Sequence, residues 1–449
     1  MNILGIDLGS TQISAAFLNI NENDIKIIGF GKTKSQGIKK GTITNIELAS
    51  RSIKEAVNAA KISSDLYYDK VVVSLSGAYA KSVESVGVTT IKDFEIGIKE
   101  IQRAVNMAKQ NAEIPTGYQI IHILPTYFKV NDQFVDDPFG MSGNRLEVST
   151  HIVISQEIHV KNIKKTVESA GLKIDNLNLV LSGYASSIAC LEDSEKELGV
   201  ALIDIGEICD IVVHMGNSIC YNEWWQVGSK HITSDLSVAL NTSLNIAEQV
   251  KLDYEQISQR EDNVIKVSKR GSEKVRKDEK DFNEIPFENV SQVIFLRTEE
   301  ILNKLNNILD NNPNIRDVGA GVVLTGGMVK LFGLMDLANS VFKDKSIRIT
   351  HTRVDLVSGF DEVIDDPENS CVIGLCLYGA GYFTQYEIDS NERLRHKEEI
   401  KNFSKNNFTD DNDKINPQEN YNKIEDDLDI RIDDEKKQNW FIRFFSKIF

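Results

Sequence analysis

Two short stretches combine the residue types from which a phosphate and metal site is built. "GIDLGST" (residues 5–11) and "LIDIGEI" (residues 202–208) each place an aspartate two residues before a glycine, at Asp7/Gly9 and at Asp204/Gly206. Glycine allows backbone N–H groups to approach phosphate oxygens with no Cβ in the way, and Mg²⁺, which keeps several waters, suits carboxylates that reach it through that water shell. Ser10 and Thr11 extend the first turn. A third glycine turn, "VVLTGGMVKLFG", follows an apolar run, and there Gly326 and Gly327 would let a flat base lie against the backbone. The chemistry implied is the binding of a nucleoside triphosphate. Each motif alone is also the composition of a plain turn; it is their order and repetition that favour a site.

The elements that must position these residues follow from the flanking pattern. Apolar runs on both sides of Asp7–Gly9, and again around Asp204–Gly206, predict two hairpins about 200 residues apart, each opening a domain with its own core. Strand-like stretches ("KVVVSLSG", "VVLTGG") then alternate with helical ones ("IELASRSIKEAVNAAK", "HVKNIKKTVESAG"), which is an α/β signature.

Composition sets further bounds. The chain has 449 residues, is 41% hydrophobic and carries a formal charge of −16, so a broad nucleic-acid footprint is not expected. There is no uninterrupted apolar window of about 18 residues and no signal-peptide pattern at the start, so the body is read as cytoplasmic. Five cysteines without CxxC spacing read as reduced core residues. Residues 407–435 hold 11 acidic and 3 basic side chains with no periodicity, as a disordered linker does.

The last eleven residues, "NWFIRFFSKIF", are different again. On a helical wheel Trp440, Phe441, Ile442, Phe444, Phe445, Ile448 and Phe449 fill one side, and Asn439, Arg443, Ser446 and Lys447 the other. Too short to span a bilayer or to be a stable helix in water, this segment is predicted to fold on an anionic membrane surface, with Arg443 and Lys447 meeting lipid head groups. Docking onto its own body or a partner groove is the other reading.

Phosphate loop, second phosphate loop and adenosine loop in this order resemble the superfamily of actin, heat-shock chaperone ATPases and sugar kinases. "LNIAEQVK" is similar to the superfamily helix whose Glu and Lys contact ribose and adenine. That resemblance assigns the roles to Glu248 and Lys251, which share a helix face but also read as a plain surface ion pair. Within the superfamily, "IIHILP", the turn "DDPFGMSGNRLE" (residues 136–147), "LVLSGYASSIACL", "VGSKHITSDLSVAL" and "CVIGLCLYG" resemble the bacterial cell-division family FtsA. The resemblance covers most of residues 1–385 and the extreme tail.

It implies an actin-like two-domain fold of duplicated ribonuclease-H-like domains. The first core comprises residues 1–83 and 166–198, closed by about 372–386, with a relocated subdomain at 84–165. The second comprises 199–230 and 316–371, with a peripheral subdomain at 231–315; an acidic linker at 387–438 and an amphipathic helix at 439–449 complete the chain. ATP and Mg²⁺ are the implied ligands. Implied partners are other copies in a filament, later division proteins and the C-terminal peptide of the tubulin-like FtsZ, which Arg297 would meet, its guanidinium fork being suited to a carboxylate. The implied location is the inner face of the plasma membrane at the division septum.

One departure stands out. Many superfamily members continue the second aspartate as Gly-Gly-Gly-Thr, whereas Gly206 is followed here by Glu207, Ile208 and Cys209, removing phosphate donors and adding a carboxylate that repels phosphate unless Mg²⁺ intervenes. ATP is therefore expected to act as a switching ligand with slow or negligible hydrolysis, and no nucleophile or general base is assigned. A sugar kinase or a pilus-assembly relative are the alternative functions, and neither has an evident use for the tail.

Overall fold

The computed structural model describes residues 1–396 except 22–23, 62–66, 93–94, 176, 217, 260–263, 270–281, 313–314 and 316–317. Most of the predicted linker and the whole amphipathic tail, Trp440 to Phe449 included, lie outside the described residues.

Two five-stranded sheets share one topology. In the first, Asn2–Leu8 pairs antiparallel with Gln12–Asn21, which pairs with Asp24–Lys34, while Lys70–Leu75 and then Leu177–Leu181 add parallel on the other side. In the second, Val200–Ile205 pairs antiparallel with Cys209–Met215, which pairs with Ser218–Trp225, while Val322–Thr325 and then Ile347–Ile349 add parallel. The duplicated Ile-Asp-x-Gly motif thus marks the same hairpin tip in each sheet. The leading strands are buried almost throughout, as strands covered on both faces must be.

Between the sheets lie helices Ser182–Cys190 and Ser370–Ala380, built mainly of small and apolar residues and buried along nearly their whole length. The first leans on the second sheet, where a Cβ on Gly183 would stand 3.0 Å from Val212; the other leans on the first sheet, where a Cβ on Gly379 would come within 2.7 Å of Ile3. Where the helices cross, a Cβ on Gly374 would fall 1.8 Å from the Ala185 carbonyl oxygen. No larger residue fits that crossing. The far face of the second sheet forms a separate core with Ser229–Ala239, Leu244–Leu252, Phe287–Asp310 and Leu334–Val341.

A third sheet, in the order Ala80–Thr90, Arg145–Gln156, Tyr118–Val130, Gln133–Val135, is entirely antiparallel and packs helix Ile98–Asn111 over its own core of Ile101, Val105, Phe128, Val148 and Ile152. It touches the second domain through His151, whose Nε2 lies 2.7 Å from Asn222 Oδ1. Burial holds His151 neutral, lowering its pKa to about 4. His122, in the neighbouring strand, is fully buried and accepts the Leu181 N–H at 3.2 Å.

Residues 387–396, expected to be linker, are part of the fold. Residues 381–396 form a strap built into the fold: Ile388 exchanges two backbone hydrogen bonds with Ile123, and the chain reverses so that the Arg395 N–H donates to the Glu387 carbonyl. Glu387 is fully buried, where it accepts the Tyr184 and Tyr378 hydroxyls, and burial pushes its carboxyl up to about 7. The Arg395 guanidinium lies 4.3 Å from the Tyr378 ring centre and 4.2 Å from that of Phe383. The polar sequence "YEIDSNERLRH" resembles a linker because its partners are remote in the chain.

Gly374→Ala is expected to cost about 2–3 kcal/mol by forcing the two central helices apart. Thermal or urea denaturation of the purified protein checks it, and an unchanged midpoint would show that the crossing can yield.

Candidate functional site

The hairpin tips face one another across the central helices. Asp7 ends a buried strand, with Ser74 and Cys371 side chains in hydrogen-bonding reach of its carboxylate. Asp204 accepts the Ser186 hydroxyl at 2.7 Å, and Asp210, its partner across the hairpin, accepts the Ser182 hydroxyl. Ser182 and Ser186 project one turn apart from the same central helix, so that helix holds the second domain's carboxylates from the first domain's side.

All three carboxylates are half-buried, and desolvation is the main cause that raises their pKa values. Asp204 is pushed up to about 7, with Asp210 and Asp7 adding repulsion against the Ser186 bond, and Asp210 is pushed up to about 6. Asp7 is raised by the same desolvation. Such a group is unfavourable without a cation, and a divalent ion would relieve the repulsion. Among the described residues no three His, Cys, Asp or Glu side chains are close enough to hold a metal ion directly. The arrangement therefore fits Mg²⁺ held through its waters, where the ion would neutralise phosphate charge.

At the glycines of these loops the close approaches in this structure are to protein atoms. Gly326 has φ +91°, and a Cβ on it would lie 2.3 Å from Asp204 Oδ1, so only glycine lets the third loop reach the aspartate. Beside it, a Cβ on Gly327 would stand 3.0 Å from Glu368, whose carboxylate pairs with Lys330 at 2.9 Å and accepts from Gln12 Nε2 at 3.2 Å. Glu368 thus joins the third loop to the first hairpin. At the first tip, Gly9 turns tightly over the Gln12 carbonyl and the Ser10 hydroxyl accepts the Gly41 N–H at 2.6 Å. Thr11 is exposed and contributes its carbonyl to Ser35.

Gly206 donates its N–H to the Ile208 carbonyl and accepts from the Ser229 N–H, which seats helix Ser229–Ala239 against the second tip. Glu248 and Lys251 form an ion pair of 2.9 Å and share Thr233; Lys251 also reaches the Ser229 carbonyl at 3.5 Å, one residue link from Gly206. They flank the loop without touching Asp7, Asp204 or the third turn. Arg297 is elsewhere, tied to Asp235 and to Glu300 at 2.5 Å each.

Glu207, the carboxylate added by the departure from Gly-Gly-Gly-Thr, has a cationic partner. Its side chain is 5% exposed and pairs with Lys230 at 3.1 Å. Sequence reading also missed Asp210, Ser182, Ser186 and Glu368. Asp210 was findable as the cross-strand partner of Asp204, and the two serines by their i, i+4 spacing; Glu368 carries no local signal.

Asp204→Asn is expected to stabilise the ligand-free protein. The folded-state pKa lies above the unfolded value, so ionised Asp204 weakens folding increasingly as pH rises from about 4 to about 7. The gain from Asn should be on the order of 1–3 kcal/mol at pH 8 and vanish near pH 4. Melting curves at both pH values check it, and equal gains at both would contradict the burial argument.

Comparisons with known proteins bear on the family and the fold. Residues 77–154 match the family model "SHS2 domain inserted in FTSA" and residues 201–374 match "Cell division protein FtsA". A cell division protein FtsA from Helicobacter pylori is 35% identical over 426 residues, covering 88% of this chain and 85% of the relative. The Escherichia coli protein of that name is 27% identical over 410 residues, covering 87% and 93%. Among solved structures, a type IV pilus biogenesis complex, PilM-PilN, superposes with a TM-score of 0.59 at 16% identity, covering 84% of this chain and 98% of that one, which is a likeness of fold alone.

Proposed function

The chain belongs to the FtsA family of cell-division proteins, with the actin-like fold, and from that premise we propose that it is an ATP-binding adaptor that polymerises and ties FtsZ filaments to the inner face of the plasma membrane at the septum. The observation that carries the nucleotide part is the group Asp7, Asp204 and Asp210, three half-buried, mutually repelling carboxylates at the duplicated hairpins. Mg²⁺ and the phosphates of ATP would lie there, with Gly9, Ser10, Gly206 and the third turn around them and Glu248 and Lys251 toward the ribose and base. Glu207, Ile208 and Cys209 after Gly206 remove phosphate donors that Gly-Gly-Gly-Thr would supply, which favours slow or negligible hydrolysis and ATP as a switching ligand. Addition of Mg²⁺ and ATP should raise the melting temperature, and ATP without Mg²⁺ should raise it less; no shift with either would remove the ligand.

The membrane part rests on the tail sequence, where apolar and basic residues separate cleanly onto two faces. Among the described residues no helix is long and apolar enough to cross a membrane. One short anchor binds weakly and many on a filament bind by avidity, so attachment and polymerisation would be coupled. Deleting Asn439–Phe449 is expected to abolish sedimentation with anionic liposomes while ATP binding persists; equal sedimentation with and without the tail would refute the anchor.

For FtsZ, the helix Phe287–Asp310 buries Ile294, Ile301, Leu302, Leu305 and Leu309 and keeps Arg297 on its border. An acidic peptide would have to compete with Asp235 and Glu300 for that guanidinium. Arg297→Glu is expected to weaken an FtsZ tail peptide at least tenfold, the loss of about 1.4 kcal/mol typical of a charge-assisted bond. Unchanged affinity in a fluorescence anisotropy titration would take Arg297 out of the interface.

A further inference from the structure

The residues Gly-Gly-Gly-Thr are replaced here by a turn whose carboxylate is already bound like a ligand. Ile38–Lys39 and Thr42–Ile43 form a small ribbon in the first domain, closed by Lys40 at φ +49° and Gly41 at φ +73°, the left-handed pair of a two-residue hairpin turn. Its tip reaches the second domain. The Lys40 N–H donates to Glu207 Oε1 at 3.4 Å, Lys230 Nζ pairs with Oε2 at 3.1 Å, and a Cβ on Gly41 would stand 3.0 Å from Ile208.

Around the carboxylate lies a cavity of about 420 Å³ lined by Lys39, Lys40, Thr42, Glu207, Lys230, His231 and Ser234. Its formal charge without Glu207 is that of three lysines. Lys230, His231 and Ser234 come from the N-terminal half of helix Ser229–Ala239, whose positive dipole end faces the same space. His231 Nδ1 accepts the Gly228 N–H at 3.3 Å. A backbone N–H, an ammonium and a helix start converging on a nearly buried anion are the groups that hold a phosphoryl dianion.

We infer that Glu207 is a built-in occupant of a phosphoryl site, and that the terminal phosphate of a bound nucleoside triphosphate displaces it and takes over Lys230 and the Lys40 N–H. The same exchange swaps one link between the ribbon tip and the second domain, from carboxylate to ligand. A diphosphate has no group to make this exchange, so the site separates the two nucleotides by competition with its own side chain. The inference deepens the nucleotide reading and rests on it for the identity of the ligand, while the anion site itself stands on the cavity.

The test titrates ATP and ADP with Mg²⁺, and separately inorganic phosphate alone, into the full chain and its Glu207→Gln and Lys230→Ala variants by calorimetry. Glu207→Gln keeps the hydrogen-bonding shape and removes the charge. It should tighten ATP about tenfold, the factor for a site self-occupied in roughly nine-tenths of molecules, and change ADP less than twofold. Lys230→Ala should weaken ATP more than ADP. ADP binding with no change in ATP preference, or weaker ATP binding to Glu207→Gln, would overturn the displacement and leave the nucleotide reading standing. Phosphate binding that tightens in Glu207→Gln while neither nucleotide binds would keep the anion site and discard the nucleotide; no binding in any arm would discard both.

Discussion

The contact between Gly374 and the Ala185 backbone sets the distance between the two halves of this protein. Because the central helices touch backbone to backbone, each leans on a different sheet while their crossing stays fixed. The hairpin tips are then held at opposite walls of one cleft, and Ser182 and Ser186 can hydrogen-bond carboxylates of the facing domain. A wider crossing would carry helix Ser182–Cys190 off with the second sheet, and so separate Asp204 and Asp210 from Asp7 on the first. The glycine is therefore a condition for the site as well as for the core.

The site in turn works against the fold. Three carboxylates sharing a desolvated space weaken folding at neutral pH, and a fold tolerates such a group where ligand binding recovers the loss. The nearby side chains follow the same logic. Glu368 is satisfied by Lys330 and Gln12, and Glu207 by Lys230, so the anions lining the cleft are distributed between paired ones at its rim and mutually repelling ones at its floor. The floor is where a cation would neutralise most charge.

How much of this could be read in the chain depends on whether the signal is local. The paired Ile-Asp-x-Gly hairpins were legible because each motif and its flanking apolar runs are contiguous, and the common topology of the sheets follows from that repetition. The apolar face of helix Phe287–Asp310 is a local signal too, because Ile294, Ile301, Leu302, Leu305 and Leu309 recur at helical spacing. The partners of Glu207 were not legible because its cation is 23 residues away on a helix start and its N–H donor 167 residues away on a ribbon tip. The strap was taken for linker for the same reason: Glu387 finds Tyr184 across 203 residues, and charge in a polar stretch indicates solvent unless its partners are known.

That strap also settles how a load would enter the molecule. A pull on the chain beyond His396 acts first on Arg395, wedged between the rings of Tyr378 and Phe383 and bonded to the Tyr378 carbonyl at 3.1 Å. Tyr378 belongs to the helix that crosses at Gly374, and Glu387, to whose carbonyl Arg395 is bonded, adjoins the Ile388–Ile123 bridge to the third sheet. Tension would thus be shared between the hinge helix and the inserted subdomain instead of peeling an edge strand, which makes residues 381–396 a strain relief of the kind fitted where a cable meets its housing.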